Sequence, residues 1–303
     1  MITRRATEIL VVACITGTVF VARPAVAELN AEPPPAEVDS QPPAADRLLP
    51  EVILALENRH SVYAKLRHEI RIFGLTLFGS GTYVEQRAGP HPLLRLELRT
   101  QLGDETSTLL HVCDGRFLWV YQHLLGEESL TRIDVVEVQR ALQRAGRMTE
   151  TVDPVTLPGF GGLPQLLRGL HRNFDFAPAE PAELAGTTLW RARGRWKPAM
   201  LARLVPDQKE AALAGEDVDL SELGEHLPDQ VHLFVGRDDL FPYRIEYHRI
   251  EPQRGSATIL VSLQFMEVNL DIPVDTARFL YSPGDLAPSD GTDDFLRRLG
   301  ISR

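Results

Sequence analysis

The sequence predicts an α+β protein in which helices pack against one face of a single antiparallel sheet. The stretch from Tyr63 to Asp134 contains five or six strand-like runs separated by short, turn-like breaks, which favours an antiparallel meander. Amphipathic helical patterns flank this stretch on both sides. Together these features predict one sheet with helices on it.

The strand runs alternate between polar and apolar residues. In the first run, one side carries Tyr63, Lys65, Arg67, Glu69 and Arg71, and the other carries Val62, Leu66, Ile70 and Ile72. Leu94, Leu96 and Leu98 repeat this two-residue period, which is that of a half-buried strand. The strand 117–121 is apolar on both faces, so one face meets a helix and the other faces either a concave pocket or an ordinary two-layer core.

Three helices are expected around the meander. The first runs from about Leu49 to His60. The second opens at Asp134, with Glu137 in the capping-box position and Gly146 as its stop. The third has apolar residues at helical spacing, namely Leu163, Leu166, Leu167, Leu170 and Phe174.

Strand patterns return in the second half of the chain. They cover Asp175–Ala177, Thr188–Ala192, Gln230–Val235, Phe241–Arg249 and Thr258–Val268, and a short helix is expected around Phe295–Leu299. Between them, the acidic stretch 197–229 is interpreted as a solvated insertion. The glycine-rich loop Thr149–Gly162 has no following lysine and no G-x-G-x-x-G pattern, so a phosphate site is not expected there.

The N-terminus has the features of an export signal. Arg4 and Arg5 precede an apolar run of about 14 residues, shorter than the roughly 20 that span a bilayer, and Ala25-Val26-Ala27 has the A-x-A form of a cleavage site. We expect a signal peptide over 1–27 cleaved after Ala27, a proline- and alanine-rich linker over 28–48, and one domain over 49–303. Lipidation at Cys14 is the alternative.

The net charge excludes one class of partner, and the cysteine count excludes an internal disulfide. The net charge of −10 becomes about −12 once residues 1–27, with three arginines and one glutamate, are removed. Such a chain is repelled by nucleic acid, which excludes nucleic-acid binding. Cys113 would be the single cysteine of the mature chain, so an internal disulfide cannot form.

No catalytic motif is visible in the sequence. The nine histidines do not form a metal-ligand pattern such as H-E-x-x-H, and no G-x-S-x-G elbow marks a nucleophile. We therefore expect a protein that is not an enzyme and needs no metal or cofactor. A hydrolase whose site is assembled from distant residues is a third, open alternative.

Several motifs, taken in order, resemble the periplasmic outer-membrane lipoprotein carriers, the LolA-like family. They are Gly79–Tyr83 followed by Gln86-Arg87, Pro92–Glu97, Leu110–Tyr121, Asp275–Phe279 and Ser282–Gly284. The resemblance implies an N-terminal helix followed by a curled antiparallel sheet, an unclosed half-barrel with helices on its concave side. It also implies that the third helix is a lid over the open mouth, although a fixed core helix is the alternative.

The resemblance implies an apolar cavity that binds lipid or lipoprotein acyl chains. The candidate lining residues are Leu94, Leu96, Leu98, Phe117, Trp119, Tyr121, Leu166, Leu170, Ile245 and Phe265. A one-residue register slip exchanges the faces of a strand, so sequence alone does not fix which of them point inward. Arg87 matches a family arginine that hydrogen-bonds the lid in the closed state; an exposed arginine without a partner is the alternative.

The sequence thus predicts a non-catalytic periplasmic carrier or binder of lipoprotein acyl chains or other lipids, acting as a monomer. Its expected protein partners are inner-membrane export machinery or an outer-membrane acceptor. The alternative is an envelope sensor or interaction module of the same fold, with the acidic insertion as its partner surface.

Overall fold

The computed structural model describes residues 47–72, 75–87, 91–102, 105–145, 161–220, 227–251, 256–299 and 301. The predicted signal peptide, Cys14, nearly all of the predicted linker and residues 149–160 of the glycine-rich loop lie outside the described residues. So does the expected helix stop at Gly146.

Six helices and thirteen strands are described. The helices are α1 Leu48–Glu57, α2 Val135–Arg144, α3 Gly162–Asn173, α4 Pro198–Leu204, α5 Lys209–Ala214 and α6 Thr292–Arg298. The strands are β1 Ser61–Ile72, β2 Leu75–Gln86, β3 Leu93–Leu102, β4 Glu105–Cys113, β5 Phe117–Leu124, β6 Glu127–Asp134, β7 Phe174–Phe176, β8 Glu180–Leu184, β9 Thr187–Trp196, β10 Gln230–Gly236, β11 Pro242–Glu251, β12 Ser256–Leu270 and β13 Ser289–Asp290. None of these helices is long and apolar enough to cross a membrane.

All strands belong to one sheet, in the order β13-β6-β5-β4-β3-β2-β1-β12-β11-β10-β9-β7, with β8 also pairing with β9. Every pairing is antiparallel except that of the two-residue β13 with β6. The predicted meander β1 to β6 is confirmed. The predicted fold class, an α+β protein with helices packed on one unclosed antiparallel sheet, is also confirmed.

The alternation of β1 separates the two faces of the sheet. Val62, Ala64 and Leu66 are buried in the main hydrophobic core, whereas Lys65 and Arg67 are exposed. The same core contains apolar residues of α1, α2, α3 and α6. We call this side the helix-covered face and the other side the opposite face.

The three helices predicted around the meander are present, but α1 ends at Glu57 rather than near His60, and Phe174 begins β7 rather than belonging to α3. The apolar stripe of α1 is buried, and α1 begins at Leu48, one residue before the predicted start. Asp134 caps α2 by accepting a hydrogen bond of 2.9 Å from the backbone N–H of Glu137. In α3, Leu163, Leu167 and Leu170 are buried against the sheet.

The C-terminal segment crosses the opposite face. Phe279 is 1% exposed, and Tyr281 packs on Trp119 with ring centroids 5.5 Å apart. This segment contacts the second apolar face of β5 at Trp119, and the three aromatic residues of that face, Phe117, Trp119 and Tyr121, remain partly exposed. From there the chain reaches β13 and then α6, whose Phe295 and Leu296 lie in the main core.

The insertion 197–229 is partly folded. Its described part contains α4 and α5, in which Ala202 and Ala212 are buried. The Trp196 indole N–H donates to the Pro228 carbonyl at 2.7 Å, and the Arg249 guanidinium donates to the Leu220 and Leu227 carbonyls at 2.7 and 2.9 Å. The insertion is therefore anchored to the end of the sheet. Strand β8 was not predicted from the sequence.

Burial on α1 gives the first testable expectation. Replacing Leu56, 4% exposed, by alanine should lower the free energy of unfolding by about 2–5 kcal/mol, because it removes buried methylene groups and leaves a cavity. Replacing Leu54, 59% exposed on the same helix, should change it by at most about 0.5 kcal/mol. Urea denaturation measures both, and equal losses would contradict the assignment of the buried side of α1.

Candidate functional site

Seven of the ten predicted cavity residues meet on the helix-covered face. They are Leu94, Leu96 and Leu98 of β3, Ile245 of β11, Phe265 of β12, and Leu166 and Leu170 of α3. Leu166 is half-buried, and the other six are buried. Strand register aligns them, because Leu96 lies opposite Tyr83 in β2 and Tyr83 lies opposite Ala64 in β1. The face is therefore continuous from β3 across β1 to β11.

The structure separates the other three from this group. Phe117, Trp119 and Tyr121 lie on the opposite face, because Leu118 and Val120, which alternate with them, pack in the main core. The Arg132 guanidinium lies 4.9 Å from the Phe117 ring centroid, and the Tyr121 hydroxyl donates to Glu128 at 2.6 Å. The ten predicted residues therefore do not share one surface.

Helix α3 covers the apolar face and is entered through two consecutive glycines. Gly161 has φ +75° and Gly162 has φ +69°, a left-handed conformation that favours glycine. A Cβ atom at Gly162 would lie 2.9 Å from the Tyr83 hydroxyl oxygen, so a side chain there would collide with β2. The start of α3 thus combines a permissive backbone with close contact to the sheet.

A buried polar network holds the start of α3. The Tyr83 hydroxyl accepts a hydrogen bond of 2.9 Å from the backbone N–H of Leu163 and donates its own proton to the Glu85 carboxylate. The Arg87 guanidinium donates to the other oxygen of Glu85 at 3.3 Å. Burial raises the pKa of Glu85, while the contacts with Tyr83 and Arg87 oppose that rise. Arg87 thus reaches α3 through Glu85 and Tyr83.

A second polar contact joins α3 to α1. The guanidinium of Arg168 pairs with the carboxylate of Glu57, and both side chains are partly exposed. A pair at the surface contributes only about 0–1 kcal/mol, so apolar packing dominates the attachment of α3.

Sequence inspection missed the central roles of Tyr83 and Glu85. The signal was present, because the two residues are two apart in β2 and therefore share a face. A carboxylate on an otherwise apolar strand face requires a hydrogen-bond partner, which here is the Tyr83 hydroxyl.

The chemistry available on this face is apolar contact. The thiol of Cys113 is buried, which raises its pKa to about 11 and keeps it protonated and unreactive at neutral pH. A surface depression of about 630 Å³ lies along α2, but charged and polar residues line it: Asp134, Glu137, Arg140, Gln143 and Arg144. None of these five lining residues is hydrophobic.

The Tyr83 hydroxyl can be tested with a matched substitution. Tyr83→Phe should lower the free energy of unfolding by about 1–3 kcal/mol, because Leu163 N–H and the Glu85 carboxylate lose a buried partner. It should also increase hydrogen exchange at the start of α3. Tyr121→Phe removes a hydroxyl that pairs with Glu128 at an exposed position and should have a smaller effect. Equal exchange in both variants would refute the role of Tyr83.

Two buried histidines predict acid sensitivity. Burial lowers the pKa of His68 and of His111 from 6.5 to about 4. The unfolded chain therefore binds more protons than the folded one between pH 6.5 and 4, and stability falls as the pH falls through this window, by up to about 3 kcal/mol for each histidine.

His68→Gln should remove its share of this acid sensitivity. His60→Gln changes an exposed side chain and should leave the dependence unchanged. Urea denaturation across pH 4–7 measures it, and an unchanged slope in His68→Gln would contradict the assignment.

Comparisons with known proteins find structural similarity to solved proteins at low sequence identity. No family model and no curated protein matches the chain. Among solved structures, the MucA/MucB complex of Pseudomonas aeruginosa matches with a TM-score of 0.40 and 12% identity, over 78% of this chain and 61% of that chain, less than two thirds of its length. The lipoprotein LppX of Mycobacterium tuberculosis matches with a TM-score of 0.36 and 14% identity, over 76% of this chain and 98% of that chain. A LolA superfamily protein of Nitrosomonas europaea matches with a TM-score of 0.28 and 10% identity, over 78% and 98%. At these TM-scores the likenesses do not assign the chain to a family.

Proposed function

We propose that this protein is a non-catalytic carrier or binder of lipid acyl chains, including those of lipoproteins, in the bacterial periplasm. The observation that carries the proposal is the continuous apolar face under α3, a helix entered through Gly161 and Gly162 and held at its start by one buried network. Displacing α3 would expose that face to an acyl chain.

The free energy gained by burying an acyl chain is similar in size to the free energy lost when α3 leaves the apolar face. Burying ten methylene groups of an acyl chain contributes about 8 kcal/mol, at about 0.8 kcal/mol each. Removing Leu163, Leu167 and Leu170 from the face costs about 6 kcal/mol, at about 2 kcal/mol each. An acyl chain can therefore replace α3 with a moderate net gain. Moderate affinity is what a carrier needs if it is to release its cargo.

The polar network would act as the latch of the closed state. Opening breaks the hydrogen bond between Leu163 N–H and Tyr83, while Glu85 keeps its contact with Arg87, the residue that follows β2. Arg87 therefore supports the latch by orienting Glu85. This assigns Arg87 an indirect part in the lid contact that the family resemblance implies.

The cellular setting follows from the sequence. The export signal predicted for residues 1–27 would deliver the chain to the periplasm, with cleavage after Ala27. There, inner-membrane export machinery would load the cargo and an outer-membrane acceptor would receive it. We propose that the protein acts as a monomer in this exchange.

Native mass spectrometry with lipid extraction, on protein purified from the periplasm, tests the proposal. The wild-type protein should carry acyl lipid or lipoprotein. Leu166→Glu should lose it, because the substitution places a charge on the half-buried side of α3 that packs against the core. Trp119→Glu places the same charge on the opposite face and should keep the cargo. Circular dichroism confirms that both variants are folded.

Two results would count against the carrier. Wild-type protein that is free of ligand and ignores added fatty acid and lipopeptide would refute acyl binding and favour the interaction module. Cargo lost from Trp119→Glu but kept by Leu166→Glu would move the binding surface to the opposite face.

A further inference from the structure

Three side chains with metal-binding atoms converge on the opposite face, away from α3. His232 of β10 lies directly across from Glu246 of β11, and His248 follows Glu246 by two residues. The His248 Nε2 atom is 2.9 Å from Glu246 Oε2, and His232 Nδ1 is 4.0 Å from the same oxygen. The three side chains are only 13%, 8% and 9% exposed. Strand pairing therefore builds a compact, mostly buried cluster of two imidazoles and one carboxylate.

The spacing suits a small metal ion. Zinc binds histidine nitrogen and carboxylate oxygen at about 2.0–2.2 Å in a tetrahedral site, which places neighbouring ligand atoms about 3.3 Å apart. The observed distances of 2.9 and 4.0 Å lie on either side of this value. The imidazole rings lie with centroids 3.9 Å apart and an interplanar angle of 31°, so binding requires a side-chain rotation that aims both lone pairs at the ion.

The surrounding arginines leave one oxygen of Glu246 for the ion. The Arg244 guanidinium contacts Glu246 Oε1 at 2.6 Å and fixes the carboxylate, with Oε2 directed at the histidines. Arg191 and Arg193 both pair with Glu180, whose single negative charge offsets one of their two positive charges. Arg244 is thus a positioning residue of the kind that orients metal ligands from outside.

Each of the two histidines has one buried ring nitrogen without a hydrogen-bond partner among the described residues. These atoms are His232 Nε2 and His248 Nδ1. The 4.0 Å separation between His232 Nδ1 and Glu246 exceeds hydrogen-bond distance. An ion would bind the other ring nitrogens, His232 Nδ1 and His248 Nε2, because these are the atoms that face Glu246 Oε2.

We propose that His232, Glu246 and His248 bind a zinc ion, which links β10 to β11 on the opposite face of the sheet. Two nitrogen donors and one oxygen donor favour Zn²⁺ over Mg²⁺ and Ca²⁺, which prefer six or more oxygen ligands. Three protein ligands leave one position for water. This site is independent of the acyl-binding face.

Cobalt substitution tests the site on the full mature chain. After treatment with chelator, titration with Co²⁺ should give the visible absorption of a tetrahedral site at one ion per chain, and Zn²⁺ should displace it. Zn²⁺ should also raise the Tm, and chelator should reverse the rise. Mg²⁺ should do neither.

Ligand variants decide whether this cluster is the site. His232→Gln and His248→Gln keep a polar side chain but remove the imidazole, and each should weaken Zn²⁺ binding at least about tenfold. His60→Gln, which changes an exposed histidine, should bind as the wild type does. The proposal is overturned if the wild-type protein gives neither the cobalt spectrum nor the Zn²⁺-dependent rise in Tm. This test does not depend on whether the variants fold. Equal binding by wild type and His248→Gln would overturn it as well.

Discussion

The double pairing of β1 is the interaction on which the rest of this structure depends. β1 pairs with β2 on one side and with β12 on the other, so it joins the N-terminal meander to the C-terminal strands. Leu66 lies between Gly81 and Phe265 in this arrangement. Without it, the apolar face would end at β1, and α1 and α3 would lack the second half of the surface they cover.

Competition for that face links the fold to the proposed function. The buried leucines of α3 fill the positions that an acyl chain would occupy, so the same contacts stabilise the closed protein and limit the affinity for cargo. The network of Tyr83, Glu85 and Arg87 fixes the position of α3 on the sheet, because it holds the backbone N–H at the start of the helix. An apolar surface alone would let the helix slide, whereas a buried hydrogen bond selects one position.

Local sequence patterns predicted most of the helices and strands. The wrong assignment of the β5 residues to the cavity arose because the pairing of strands, rather than the local sequence, decides which way their side chains point. The alternation in β1 and β3 and the cap of Asp134 on α2 are local signals, and they are confirmed. The face of β5 was not predictable from its own residues, because both sides are apolar. It is set by the turn at Asp114 and Gly115, which pairs Cys113 with Leu118 and so directs Trp119 outward.

The two sets of polar residues that the sequence did not reveal have the same origin. Tyr83 meets Leu163 across 80 positions, and His232 meets Glu246 through the register of two strands. A search for short spacings such as H-E-x-x-H cannot find ligands that strand pairing brings together. The resemblance to the lipoprotein carriers implies the half-barrel and its lid, but it contains no information about the opposite face.

The pairing of β1 with β12 also limits the rate of folding. These neighbours at the centre of the sheet are separated by roughly 200 positions, so their contact requires closure of almost the entire domain. The meander can form locally while the chain is still emerging, yet its exposed β1 edge has no partner until the last long strand arrives. During that interval the open edge is available for pairing with another copy of the chain, so the connectivity of the sheet determines how long the folding chain is exposed to aggregation.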